Sequence, residues 1–191
     1  MALTASAAFG ADEGAGLVVN ELMASNVGVV MSPATNFDSW MELYNTGDED
    51  VPLAGMCLSN DETNLTLWRM PGGVGTVPAK GFLVVWLGSG DVRSSQAPFK
   101  LDCDGGTLCL SDASGQLVTS VTYPPAMSRT AWARKTDGGD EWGWTADATP
   151  GASNATAAFA DTRLEAPAVS AGSQLFSGEV AFMSISPKGP H

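Results

Sequence analysis

Apolar and polar residues alternate over short stretches of this chain, and glycine, proline, asparagine and aspartate punctuate them. Leu17-Val18-Val19-Asn20-Glu21-Leu22-Met23 reads as a strand closed by Ala24-Ser25-Asn26. Trp40 to Tyr44 alternates in type and runs into the turn signal Asn45-Thr46-Gly47-Asp48. Val51-Pro52-Leu53 is short, and Pro52 restricts it to an edge or a strand start. Further strands are predicted over Met56–Ser59, Leu65–Met70 and Phe82–Leu87; the last is apolar on both faces and is expected at the centre of a sheet. Phe99–Leu101 and Thr107–Leu110 flank Asp104-Gly105-Gly106, which predicts a hairpin. A second hairpin is predicted from Leu108–Ser111 to Gln116–Tyr123 across Ala113-Ser114-Gly115, and Thr130–Arg134 and Trp142–Thr145 complete the set. No long stretch carries the i, i+3, i+4, i+7 stripe of a helix. The sum, about nine or ten strands, predicts an all-β sandwich.

The ends differ from this middle. Residues 1–16 are small and Ala-rich; Ala2–Phe9 resembles the tail of a secretory hydrophobic region, with a place for cleavage near Phe9-Gly10-Ala11 but no basic start. This segment is expected to be a signal-peptide remnant or a flexible lead-in. Residues 155–166 are expected to be a linker, and residues 167–191 begin a β-like pattern too short to close a sheet, the start of a following domain. The 191 residues thus divide into a sandwich over 17–154 and two flanking segments.

Several motifs of the middle, in this order, resemble the lamin tail domain. They are Val19-Asn20-Glu21-Leu22-Met23, Asp38-Ser39-Trp40-Met41-Glu42-Leu43-Tyr44-Asn45, Leu53-Ala54-Gly55-Met56-Cys57-Leu58-Ser59-Asn60 and Leu67-Trp68-Arg69-Met70-Pro71. Thr76 to Trp86 and Thr107 to Gly115 continue the series, and Ala148-Thr149-Pro150-Gly151-Ala152-Ser153-Asn154 is similar to the usual end of its bacterial exported branch. Met56 stands where that family commonly has Trp. The resemblance implies an immunoglobulin-like β-sandwich, a module not known for catalysis, in a secreted or cell-surface multidomain protein. Leu164-Glu165-Ala166-Pro167 with Ser177-Gly178-Glu179-Val180 resembles the opening of a chitobiase-type C-terminal β domain.

Charge and composition narrow the chemistry. Nine basic against 21 acidic residues give a net charge of -12, which argues against a partner that is a nucleic acid. No apolar run is long enough to insert into a bilayer. The one histidine, His191, is the last residue, so Cys57, Cys103 and Cys109 have no plausible imidazole partner for nucleophilic catalysis and fit no zinc spacing. Alternation turns Cys57 and Cys109 away from the core, and free thiols are expected, although Cys103 and Cys109 flank a turn that a disulfide would suit.

Three sets of residues remain as candidates. Acidic turns admit a hard cation such as calcium, with Asp48, Asp50, Asp102 and Asp104 as its first ligands; the simpler reading makes them turn formers and solubilising charge, with no cofactor. Trp142 and Trp144 share one strand face and, with Trp132, are the candidate ligand-binding patch, against core packing as the simpler reading. Glu21 and Glu42 lie inside strands beside large apolar residues. As an acid/base pair they would need an open pocket; otherwise they bond to backbone, to Arg69 or to Arg134. The expected function is a non-catalytic interaction or spacer module, with a carbohydrate-binding or calcium-dependent adhesion module as the alternative. Its partner would be a protein or a surface glycan, and exposed edge strands permit self-association.

Overall fold

In the computed structural model the described residues are 16–88 and 96–160. The chain divides into two units, residues 1–161 and 162–191; the second unit, the lead-in before Gly16 and the expected following domain lie outside the described residues. Thirteen strands are present among those described: β1 (Leu17–Met23), β2 (Ser39–Asn45), β3 (Val51–Pro52), β4 (Cys57–Ser59), β5 (Trp68–Arg69), β6 (Thr76–Val77), β7 (Phe82–Leu87), β8 (Gln96–Ala97), β9 (Gly106–Ser111), β10 (Leu117–Tyr123), β11 (Ala131–Arg134), β12 (Trp142–Thr145) and β13 (Phe159–Ala160). A seven-stranded sheet has the order β13-β12-β11-β1-β2-β7-β8, a four-stranded sheet the order β10-β9-β4-β5, and β3 pairs with β6 as a ribbon. This is the predicted all-β, immunoglobulin-like sandwich, with several two-residue strands beyond the expected number.

Leu17, Val19 and Leu22 of β1, Met41 and Leu43 of β2, and Val85 and Leu87 of β7 pack against Leu58, Leu108, Leu110 and Val121 of the smaller sheet. Burying each such side chain contributes roughly 1.5–3 kcal/mol. Cys57 and Cys109 alternate out of this core, yet they are buried, and Cys103 is exposed; all three are free thiols. Residues after β4 cover that outer face: Ser59 Oγ donates to Asp61 O and Ser111 Oγ to Leu65 O.

Two local expectations are corrected. Asp104-Gly105-Gly106 does not close a hairpin. β9 pairs with β10 and β4, while the residues before it cross from the larger sheet, where β8 runs parallel to β7. Leu101 is buried during that crossing and its N–H donates to Ser39 Oγ. Gly105, at φ +95, is needed because a Cβ there would sit 2.9 Å from the Tyr123 carbonyl oxygen. The hairpin from β9 to β10 is present as expected. Second, β7 is not central: β2 pairs on one side and only the two-residue β8 on the other. Its doubly apolar character has another cause. On the outer face Val84 and Trp86 pack against Met23, Trp40 and Ala131, a second small core that also takes in Val29 and Val30 from the β1–β2 loop.

The sheet also continues past residue 154. Asn154–Thr156 forms a short 3-10 helix capped by Ser153, and Phe159–Ala160 pairs with β12. The first part of the segment expected to be a linker is therefore bound to the sandwich.

Candidate functional site

Two groups of residues stand out on the larger sheet, and they are built in different ways. The first starts from an irregularity in β1. The register with β2 shifts between Val19 and Glu21, leaving Asn20 as an extra residue, a β-bulge. Beyond it Glu21 lies directly opposite Glu42 on β2 and opposite Ala133 on β11. Asn20 Nδ2 reaches Glu42 Oε1 at 3.2 Å and Asp137 Oδ1 at 3.1 Å, while its Oδ1 accepts from Gly138 N at 3.1 Å. Asn20, Glu21 and Glu42 are all 0% exposed.

The segment after β12 closes over this row. Thr149-Pro150-Gly151-Ala152 is a turn with a bond from Ala152 N to Thr149 O at 2.9 Å. Proline at its second position and Gly151 at φ +82 in its third are what a type II turn requires. The turn aims its N–H groups at the carboxyls. Gly151 N donates to Glu42 Oε2, and Thr149 N lies 3.2 Å from both oxygens of Glu21. Asn154, also fully buried, donates through Nδ2 to Arg134 O at 2.8 Å and Asn20 O at 3.3 Å. Asp137 accepts from Asn154 N at 2.9 Å and from the Ser153 hydroxyl.

Burial sets the protonation of the pair. Loss of hydration pushes Glu21 up to about 7, against the opposing hydrogen bonds from Thr149, with Asp137 adding a smaller upward push. Burial pushes Glu42 up to about 8, against bonds from Gly151 and Asn20, with Glu21 and Asp137 raising it further. The acid/base reading of this pair is corrected: it needed carboxyls open to solvent, and these are buried and committed to the chain's own turn. The expectation of backbone bonding holds. The arginines are elsewhere: Arg69 donates to Gly55 O and Ala113 O, and Arg134 to Val19 O and Gly139 O.

The second group is the tryptophan set. β11 and β12 pair so that Trp132 faces Trp144 and Arg134 faces Trp142. Trp132 stacks on Trp142 with centroids 6.0 Å apart and meets Trp144 at a tilt of 55° with centroids 5.0 Å apart, and the Arg134 guanidinium carbon lies 4.7 Å from the Trp142 ring centre. All three indoles are half-buried, and Trp132 and Trp142 touch the main core. The structure brings these three candidates together.

It does not bring the four aspartates together. Asp48 pairs with Lys80 at 3.1 Å on the surface, Asp50 accepts from Ala79 N at 2.9 Å, and Asp102 accepts from Asp104 N at 2.9 Å. Among the described residues no three His, Cys, Asp or Glu side chains are grouped to hold a metal ion. Among them, too, no helix is long and apolar enough to cross a membrane. Asn20, Asp137, Thr149, Gly151 and Asn154 are the site residues that sequence reasoning did not assemble. The one available signal was the Thr-Pro-Gly turn, whose partners lie over a hundred residues away.

The comparisons with known proteins agree with the fold. No curated protein matches the chain. A family model, Lamin Tail Domain, matches residues 11–125, the larger part of the sandwich, and stops before β11, β12 and the turn that covers Glu21 and Glu42. The chain belongs to the lamin tail domain family.

Proposed function

We propose that this chain is a non-catalytic, immunoglobulin-like interaction module of an exported multidomain protein, and that the Trp132–Trp142–Trp144 ladder is its docking surface. The observation that carries the reading is the ladder itself: three indoles in contact, one pair stacked and one tilted, on β11 and β12, half-open to solvent and backed by a cation. Aromatic rings of this kind are enriched at interfaces because they give much contact area for little conformational entropy. Family membership supports a module that binds rather than reacts. The Ala-rich lead-in supports export.

The partner is a protein or a surface glycan, and the ladder favours the glycan as the second reading, since sugars stack on indole faces. Glycan arrays and tryptophan-fluorescence titrations with polysaccharides, run on the parent chain and on Trp142→Ala, test both. Binding to any glycan class that disappears in Trp142→Ala supports the carbohydrate-binding module. Binding to a protein component of the same surface that disappears in the same variant supports the interaction module. A chain whose binding is unchanged by Trp142→Ala and Trp144→Ala uses another surface, and the ladder is then structural. Mass analysis of the mature N-terminus tests export.

A further inference from the structure

The hydrogens around Thr149 do not balance if Glu21 is charged. The Asn154 amide donates both of its N–H groups to backbone carbonyls, Asn20 O and Arg134 O, which fixes its Oδ1 as the atom facing Thr149. Thr149 Oγ1 lies 2.7 Å from that Oδ1 and 3.1 Å from Glu21 Oε2. Both are acceptors when Glu21 is ionised, and a hydroxyl has one hydrogen to give. The shorter contact, to Asn154, takes it. The contact to Glu21 then becomes a hydrogen bond only if Glu21 carries the proton and donates it to Thr149 Oγ1. In that state the chain of donors runs Glu21 to Thr149 to Asn154 to the carbonyls of Asn20 and Arg134, with every member satisfied.

We propose that Glu21 is a protonated hydrogen-bond donor at the centre of a clasp that fastens residues 147–156 over the larger sheet, and that loss of this proton to solvent opens the clasp. The surrounding charges favour the neutral form. Asp137, on the turn between β11 and β12, pushes Glu21 toward it, and Glu42, opposite on β2, is itself raised by burial and by Glu21. From the covering segment itself the one ionisable side chain is Asp147, which accepts from Ala158 N at 3.2 Å. Arg134 on β11 has its guanidinium on Val19 O and Gly139 O, and β7 contributes Val84 opposite Glu42. The two carboxyls are not equivalent. Both Glu42 oxygens meet N–H groups, from Asn20 and Gly151, which can only donate. Glu21 alone has a hydroxyl within reach to accept its proton. Burial of both groups acts in the same direction.

Because this clasp includes none of the three tryptophans, its test is separate from that of the docking surface. The full chain, labelled with carboxyl carbon-13 glutamate, is titrated by NMR while exchange of the Thr149 and Asn154 amides is followed. The Glu21 resonance is expected to titrate well above the ordinary carboxylate range. Amide protection, corrected for intrinsic exchange, is expected to fall about tenfold per pH unit from the ordinary carboxylate range up to that midpoint and to level off above it, the signature of one linked proton. Glu21→Gln keeps a neutral donor toward Thr149 Oγ1 and an acceptor for Thr149 N, so its protection should lose the Glu21 step and keep only the dependence that Glu42 contributes up to about pH 8. Thr149→Val gives the sign. Losing the acceptor of the Glu21 proton lowers the Glu21 midpoint, whereas losing a donor to a charged Glu21 would raise it. An ordinary Glu21 midpoint, an elevated titration at Glu42 alone, a raised midpoint in Thr149→Val, or parent-like pH dependence in Glu21→Gln each overturns the proposal. Should either variant fail to fold, the titration of the parent chain still decides it.

Discussion

The outer face of the larger sheet is covered twice, side by side, by opposite means. On β1 and β2, Met23 and Trp40 lie under the β1–β2 loop with Val29, Val30 and Trp86, an apolar lid on an apolar patch. Two residues along the same strands and on the same side, Glu21 and Glu42 lie under residues 147–156, a lid made of backbone N–H groups on carboxyls. Ala148 belongs to both, since it packs against the apolar patch immediately before Thr149. Non-directional burial tolerates an imperfect fit: Trp40 Nε1 is buried with no hydrogen-bond partner. The polar cover is directional, and one proton decides whether it is satisfied. The apolar patch should therefore answer to volume and the polar one to pH.

The strongest attack on this contrast is truncation of the apolar side. Trp40→Ala removes a fully buried indole and is expected to cost about 3–5 kcal/mol, equally at pH 5 and pH 8, measured by urea denaturation. A pH-dependent loss would merge the two patches into one cooperative unit. Next in size is the pH response of the parent chain. A carboxyl whose folded pKa is raised above its unfolded value stabilises the fold fully below the unfolded value, and this contribution is lost as pH rises through the folded one. Glu21, raised from 4.5 to about 7, then contributes on the order of 3 kcal/mol below pH 4.5, fading between about pH 4.5 and 7. Denaturant midpoints measured from pH 4 to 9 should fall with rising pH over that window in the parent, and should not in Glu21→Gln beyond what Glu42 contributes up to about pH 8.

Smaller effects sharpen the picture. Asn154→Ala leaves the carbonyls of Asn20 and Arg134 without their side-chain donor and should cost about 1–3 kcal/mol, seen as a lower midpoint and as faster exchange at residues 149–156. Gly151→Ala places a Cβ in open space, so only the backbone conformation opposes it. At φ +82 that is worth roughly 1 kcal/mol, and the loss should be confined to protection of the covering segment. Smallest is Lys80→Ala, which breaks an exposed pair with Asp48 and should change stability by less than about 1 kcal/mol.

Much of the fold was written in local patterns. Alternation located Leu58, Leu108 and Leu110 in the core and Cys57 and Cys109 outside it, because period two is a property of the backbone that each residue samples alone. The β9–β10 hairpin was legible for the same reason: Gly115 and its neighbours close on residues a few positions away. Two kinds of feature were not legible. Gln96–Ala97 carries no strand pattern, and only the parallel alignment with β7 makes it a strand. The clasp joins Glu21 to Thr149 over a separation of 128 residues, and its geometry depends on a bulge at Asn20 that alternation does not mark. A carboxylate beside Met23 and Leu22 reads in sequence either as solvent-facing or as reactive. Only its covering segment shows that it is a fastener.

The bond from Asn154 Nδ2 to Asn20 O has a mechanical consequence. It ties the short 3-10 helix at Asn154 to the first strand of the sandwich, and the Glu21 and Asn20 contacts lie within the same short span. Tension applied between residues 16 and 160 would travel through this knot and through β11–β13, while the four-stranded sheet and the β3–β6 ribbon stay out of the load path. Under pulling, the first rupture should be the release of residues 147–160 as a short extension of fixed length, with the rest of the sandwich still folded. The force needed for that release would be set by the proton on Glu21.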